Sequence, residues 1–143
     1  MIIGIGNDMR GDDAAGLLVA RGVRKACPQT DVRELCGEGA GLIDLLENAE
    51  SAIVIDAVQA DGDAGRIHRF DAHAGPIPAK FFNYSTHAFS VAEAVEMARA
   101  LDMLPDQLII YGIEGQSFGM GAPLTPAVST AIDLLITELT GTA

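Results

Sequence analysis

Residues Ser51–Val58, which read Ser-Ala-Ile-Val-Ile-Asp-Ala-Val, decide the fold of this 143-residue chain. The segment is rich in β-branched residues and continuously apolar around a single charge, which is typical of a strand buried on both faces. Such strands lie in the middle of parallel sheets that are covered by helices on both sides. The charged residue, Asp56, is costly to bury unless it is paired or bound to a cation.

The segments on either side repeat the alternation of strand and helix. Apolar patterns predict further strands at Met1–Gly6, Asp31–Cys36, Arg66–Asp71 and Gln107–Ile113, the third of them at a sheet edge because its charges alternate with apolar residues. Helical spacing of apolar residues predicts helices over Asp12–Cys27, Leu42–Ala49, His87–Leu101 (capped by Ser85 or Thr86) and Thr125–Thr140. We therefore expect an α/β fold: a three-layer α/β/α sandwich with a central, mostly parallel sheet of about five strands. Residues 1–143 are expected to form one domain.

The charge balance excludes several classes of partner. Nine Lys and Arg against 20 Asp and Glu give a formal net charge of −11, which disfavours nucleic acid and anionic membrane surfaces. No apolar run approaches the roughly 20 residues of a membrane helix, and the first residues do not resemble a signal peptide. The two cysteines, Cys27 and Cys36, do not form a disulfide framework or a paired-cysteine zinc motif. We expect a cytoplasmic monomer that binds neither membrane nor nucleic acid.

Three polar side chains fall where sites form in such sheets, at the carboxyl ends of strands and at helix starts. Asp13 follows the first strand, Asp56 lies near the end of the central strand, and His87 opens the third predicted helix. Two carboxylates and an imidazole suit a divalent metal ion with open coordination positions. Alternatively, Asp12 or Asp13 only caps the first helix. The other two histidines, His68 and His73, are predicted to be solvated.

The glycine-rich segments favour other roles than nucleotide binding. Gly4 and Gly6 follow a strand, but Met9 replaces the third glycine of a dinucleotide fingerprint and acidic residues stand where a pyrophosphate would bind. Residues Gly37–Gly41 are predicted to form a flexible turn, which is either a simple connection or a backbone surface for an extended peptide.

A series of motifs runs in order along the whole chain: Gly4-Ile5-Gly6-Asn7 with Arg10–Gly16, Gly39–Gly41, Ile55–Ala57, Ser85–His87, and Tyr111–Glu114 with Gly121–Pro126. With these motifs the sequence closely resembles the [NiFe]-hydrogenase maturation endopeptidases. The resemblance implies a compact α/β/α fold, and it carries the family's metal ligands onto Asp13, Asp56 and His87. One position departs from the family pattern, because Cys36 stands where many members have an acidic residue, and the nearest acid is Glu38.

The resemblance implies an endopeptidase that removes a C-terminal peptide from the nickel-loaded large-subunit precursor of a [NiFe]-hydrogenase. The resemblance further implies that the divalent metal is nickel presented by the substrate, and that cleavage uses either a metal-polarised group or one of the two aspartates as general base. The alternatives are a nickel-checkpoint or chaperone-like protein that binds the precursor without cutting it, a flavodoxin-like nucleotide or flavin binder, and a protease of the same fold with another substrate.

Overall fold

The computed structural model describes residues 1–36, 39–59, 62–79 and 90–141. The strands are β1 (Ile2–Ile5), β2 (Val32–Leu35), β3 (Ser51–Val58), β4 (Ile67–Asp71) and β5 (Gln107–Glu114). A 3-10 turn, Gly11–Ala14, precedes α1 (Ala15–Ala26), and the other helices are α2 (Gly39–Glu47), α3 (Val91–Ala100) and α4 (Pro126–Thr140). The order of strands and helices agrees with the sequence prediction.

One sheet contains all of these strands in the order β2-β1-β3-β5-β4. The pairs β1–β2, β1–β3 and β3–β5 are parallel, and β4 is antiparallel to β5 at the edge. The sheet therefore confirms both the predicted central position of Ser51–Val58 and the predicted edge position of β4.

Two apolar clusters cover the two faces of the sheet. One cluster joins the sheet to α2 and α3, and the other joins it to α1 and α4. Along β3 the side chains alternate between them, with Val54 and Val58 in the first cluster and Ile55 and Ala57 in the second. The predicted three-layer α/β/α sandwich is thus confirmed, and Asp56 lies on the face covered by α2 and α3 because residues two apart share a face.

Three helix starts differ from the prediction. The first helix begins as a 3-10 turn that contains Asp12 and Asp13, and α1 itself follows at Ala15 without a side-chain cap. Helix α2 already begins at Gly39, so the end of the predicted glycine turn is helical. Helix α3 begins at Val91 because Ser90 forms a capping box with Glu93.

The predicted cap residues of this helix, Ser85 or Thr86, and its predicted start at His87 lie outside the described residues, and Ser90 is the cap of the helix that the structure describes. A serine followed three residues later by glutamate is the sequence signature of a capping box, and it stands at positions 90 and 93. Within the described ranges, no helix is both long enough and apolar enough to span a membrane.

Candidate functional site

The topology creates a crevice between β1 and β3. In the sheet, β2 lies on one side of β1 and β3 lies on the other side, so the strand order changes direction at β1. In open α/β sheets, ligands bind outside the carboxyl ends of the strands at such a switch point. Asp13 lies in the turn that follows β1, and Asp56 lies near the carboxyl end of β3. The fold therefore places both predicted carboxylates at the crevice.

Glycines allow the turn that carries Asp13 to lie directly on the strand ends. A Cβ atom on Gly6 would lie 2.0 Å from the carbonyl oxygen of Asp13. A Cβ atom on Gly16 would lie 2.4 Å from the carbonyl oxygen of Ile5 and 2.3 Å from that of Ile55. The first turn of α1 thus rests on the backbone of β1 and β3 at once, and a larger residue at Gly6 or Gly16 would require the turn or the strand ends to shift.

Asp13 and Asp56 interact electrostatically in a nearly dry environment. Each residue is 9% exposed. Burial raises the pKa of Asp56 well above its ordinary value, and the negative charge of Asp13 raises that pKa further. The backbone N–H of Ala57 opposes both effects, because it donates a hydrogen bond to Oδ1 of Asp56 at 2.9 Å. The two carboxylates therefore share one site, in which a negative charge on Asp56 is costly unless a cation compensates it.

This donor set fits a divalent cation. Carboxylate oxygens are common ligands of divalent ions, and a bound cation would relieve the repulsion that raises the pKa of Asp56. The predicted third ligand, His87, lies outside the described residues. Among the residues that the structure describes, no three His, Cys, Asp or Glu side chains are grouped so as to hold a metal ion. The complete ligand set of Asp13, Asp56 and His87 remains a prediction.

Asp12, the neighbour of Asp13, has a different role from the predicted helix cap. It is 0% exposed, and its carboxylate accepts hydrogen bonds from the backbone N–H groups of Gln116, Ser117 and Thr125 and from the Thr125 hydroxyl, at 2.6–2.9 Å. Burial acts to raise the pKa of Asp12, but these hydrogen bonds outweigh it and the pKa is lowered. Asp12 is thus an ionised carboxylate that joins the turn after β1 to the loop between β5 and α4.

Glu114 is a further buried carboxylate, and its role was not predicted from the sequence. It is 2% exposed at the end of β5, and its Oε1 lies 2.6 Å from Nε2 of His68, while its Oε2 accepts the backbone N–H of Asp63 at 3.0 Å. The side chain of His68 is only 14% exposed, so the prediction that it is solvated was wrong. Strand pairing places His68 next to Gly112, and the edge-strand pattern of β4 predicted neither the burial of His68 nor its partner.

The other histidine of the described region, His73, is exposed as predicted. It lines a surface cavity of about 340 Å³ together with Arg69, Asp71 and Gln107. This cavity lies where β5 begins, at the end of the sheet opposite to Asp56. It therefore plays no part in the candidate site.

Comparison with known proteins decides the family. The family model for HycI, described as hydrogenase maturation protease, matches residues 24–142. The chain belongs to the hydrogenase maturation protease family. The resemblance noted in the sequence is confirmed, and the protein is a peptidase. The matched range includes Asp56 and His87 and begins after Asp13.

Individual relatives agree with the family. The hydrogenase expression/formation protein HupD of Rhodobacter capsulatus is 28% identical over 96% of this chain and 68% of its own length. The HupD protein of Bradyrhizobium diazoefficiens is 28% identical over 92% of this chain and 71% of its own length.

Solved structures of family members share the fold. The crystal structure of a hydrogenase 3 maturation protease has a TM-score of 0.75 at 23% identity, covering 99% of this chain and 89% of that one. The [NiFe]-hydrogenase maturation protease HycI of Thermococcus kodakarensis has a TM-score of 0.71 at 23% identity, covering 98% and 88%. At this identity the similarity establishes the fold alone.

Proposed function

We propose that this protein is a metal-dependent endopeptidase that removes a C-terminal peptide from the nickel-loaded large-subunit precursor of a [NiFe]-hydrogenase. The observation that carries the proposal is the pair of nearly buried carboxylates, Asp13 and Asp56, at the switch point of the sheet. The pKa of Asp56 is raised by burial and by Asp13, so this site favours a cation. In the proposal His87 completes the ligand set.

The nickel ion belongs to the substrate. The three side chains would bind the ion that the precursor already contains, and this binding brings the adjacent peptide bond to the crevice. The ion supplies Lewis acidity, which makes a nearby carbonyl carbon or water molecule more reactive. A site with few protein ligands leaves coordination positions for the groups of the precursor.

The chain's own carboxylates transfer the proton from the attacking water to the leaving group. A carboxylate oxygen of Asp13 or Asp56 that is not engaged in binding accepts a proton from water while the water oxygen bonds to the scissile carbonyl carbon. The carbon–nitrogen bond then breaks, and the same proton passes to the leaving nitrogen. The products are a carboxyl group on the large subunit and a free amine on the released peptide.

We also infer that the protein works as a cytoplasmic monomer, away from nucleic acid and membrane. The net charge of −11 disfavours polyanionic partners, and both cysteines are free thiols, as a reducing compartment favours. Size-exclusion chromatography with light scattering tests the monomer, and a dimer at micromolar concentration would contradict it.

The function is tested by the intact mass of a large-subunit precursor after incubation with the protein. We expect a loss of mass for the nickel-loaded precursor and none for the nickel-free one. Asp13→Asn, Asp56→Asn and His87→Ala should abolish cleavage, because each removes a ligand of the ion. The matched control is Asp133→Asn on the exposed face of α4, which should cleave like the wild type.

Three results would contradict the proposal. Equal trimming of the nickel-free precursor, or full activity of the three ligand variants, would show a protease that does not recognise the ion. Binding of the loaded precursor without a change in its mass would instead favour the non-cleaving checkpoint protein.

A further inference from the structure

We propose that Asp12 is a positioning residue for the cleavage reaction, because it locks the turn that carries Asp13 to the loop between β5 and α4. This inference rests on the proposed function of Asp13. Asp12 itself contacts neither substrate nor ion in the proposal. It acts through the backbone of its neighbour.

The argument begins with the geometry of the turn. Asp12 and Asp13 are consecutive residues of the 3-10 turn Gly11–Ala14, and consecutive side chains of a 3-10 helix point about 120° apart. One carboxylate is therefore directed to the loop after β5 and the other to the crevice at Asp56. A rotation of the turn about its axis would move both carboxylates together, so fixing Asp12 also fixes the direction of Asp13.

Contacts between the turn and the loop are dense on the side of Asp12. Besides the four bonds to its carboxylate, the Asp12 N–H donates to the carbonyl oxygen of Ser117 at 2.8 Å. Gly11 has φ of +56° and packs so closely that a Cβ atom there would lie 2.4 Å from the same oxygen. Arg10 adds a bond from Nε to the carbonyl oxygen of Phe118 at 3.2 Å.

The backbone of Asp13 forms hydrogen bonds within the loop after β1. The Asp13 N–H donates to the carbonyl oxygen of Arg10 at 3.1 Å, and its own carbonyl oxygen accepts from Asn7 at 3.3 Å. Both of these bonds join residues of the loop after β1. The bonds of Asp12 join that loop to the loop between β5 and α4, so they connect two segments that are distant in the sequence.

A substitution at Thr125 removes one hydrogen bond of Asp12 and leaves the Asp12 side chain in place. The Thr125 hydroxyl donates to Oδ2 of Asp12 at 2.6 Å, and this side chain makes no capping bond to α4. Thr125→Val keeps the shape and removes the donor, whereas Thr125→Ser keeps the donor. Thr130→Val is the matched control, because the Thr130 hydroxyl donates to the carbonyl oxygen of Pro126 within the same helix.

The first readout is cleavage of the nickel-loaded precursor, at a temperature where every variant is folded. Loss of a group that orients metal ligands typically lowers activity 10- to 100-fold. We expect kcat/KM to fall about tenfold in Thr125→Val and to stay near the wild-type value in Thr125→Ser and Thr130→Val. Asp12→Asn is expected to fall further, because its amide nitrogen would face N–H donors.

The second readout is amide hydrogen exchange of the free protein. In Thr125→Val we expect faster exchange at the amides of Ser117 and Asp13, and unchanged exchange in β3. A merely structural bond would loosen the loop at Ser117 and leave Asp13 protected. Wild-type protection of Asp13, or wild-type kcat/KM in Thr125→Val, would overturn the inference.

The same experiments distinguish a failure of the proposed function from a failure of the positioning role of Asp12. If the wild type does not cleave the precursor, or if Asp13→Asn cleaves it equally well, Asp13 has no role in the reaction and the proposed function is wrong. If Asp13→Asn is inactive while Thr125→Val and Asp12→Asn behave like the wild type, only the positioning role of Asp12 is wrong.

Discussion

Replacing Gly16 with alanine separates two opposing effects on stability. Gly16 lies in the first turn of α1, where alanine is favoured over glycine as a helix former by about 1 kcal/mol. Helix propensity alone therefore predicts that Gly16→Ala stabilises the protein. The packing of α1 on the sheet predicts the opposite, because the new methyl group would meet two backbone carbonyl oxygens.

The magnitude follows from these contacts. The added Cβ atom would lie 2.3 Å from the oxygen of Ile55, and ordinary contact begins at 3.4 Å, so α1 must move by about 1 Å. Overpacking of a well-packed interior costs about 1–3 kcal/mol, and backbone oxygens in two adjacent strands place this site at the upper end. After the gain of about 1 kcal/mol in propensity, we expect a net loss of about 2 kcal/mol in the free energy of unfolding.

A second glycine of the same helix provides the matched control. The three atoms nearest to a Cβ atom on Gly22 all belong to the side chain of Ile136, with Cδ1 at 2.2 Å and Cγ1 at 2.8 Å, and this side chain can shift where a backbone carbonyl oxygen cannot. Gly22→Ala should therefore be neutral or more stable than the wild type by up to about 1 kcal/mol. Urea unfolding of the three proteins measures the difference. The reasoning is refuted if Gly16→Ala is at least as stable as Gly22→Ala.

Three further predictions concern stability. Because the pKa of Asp56 is raised in the folded state, the folded protein binds more protons than the unfolded chain above about pH 4, and stability falls as pH rises towards that raised pKa. In the presence of a chelator, Asp56→Asn should therefore be more stable than the wild type at about pH 8, with a smaller advantage at about pH 4. An equal difference in stability at both pH values would contradict this prediction. Ser90→Ala breaks the capping box of α3 and should cost about 1 kcal/mol in urea unfolding, whereas the exposed Ser129→Ala in α4 should cost nothing. Glu114→Ala removes a buried acceptor of two hydrogen bonds and should lower the free energy of unfolding by about 1–3 kcal/mol. The control, Glu138→Ala at an exposed position of α4, should lower it by less than about 0.5 kcal/mol. Similar thermal midpoints for these two variants would argue against a stabilising contact between Glu114 and His68.

The sheet and the two aspartates could be predicted because both follow from local patterns. A continuously apolar run such as Ser51–Val58 is buried on both faces wherever it lies, and alternation of strands and helices restricts the sheet to a parallel form. The carboxyl ends of parallel strands then share one edge, which brings Asp13 and Asp56 together without knowledge of any side-chain contact.

The role of Asp12 and the partner of His68 could not be predicted in this way. The bonds of Asp12 join positions 104 to 113 residues apart, and His68 meets Glu114 across 46 residues. Local propensity contains no information on such pairs, which depend on the register between strands and on the shape of loops. An acidic residue at the start of a helical pattern favoured a helix cap at Asp12, but the carboxylate accepts tertiary hydrogen bonds instead.

The long-range bonds of Asp12 have a consequence for the order in which the protein becomes competent. A chain leaves the ribosome from its N-terminus at about 5–20 residues per second. The turn with Asp13 emerges early, yet the donors that hold Asp12 belong to Gln116, Ser117 and Thr125. From the proposed role of Asp12 we expect the crevice to mature only after β5 and the start of α4 have been synthesised, so that the nascent chain is inactive during most of its own translation. Arrested nascent chains that expose residues up to 110 or up to 140 would show this difference in the exchange of the Asp13 amide, and equal protection in both would exclude it.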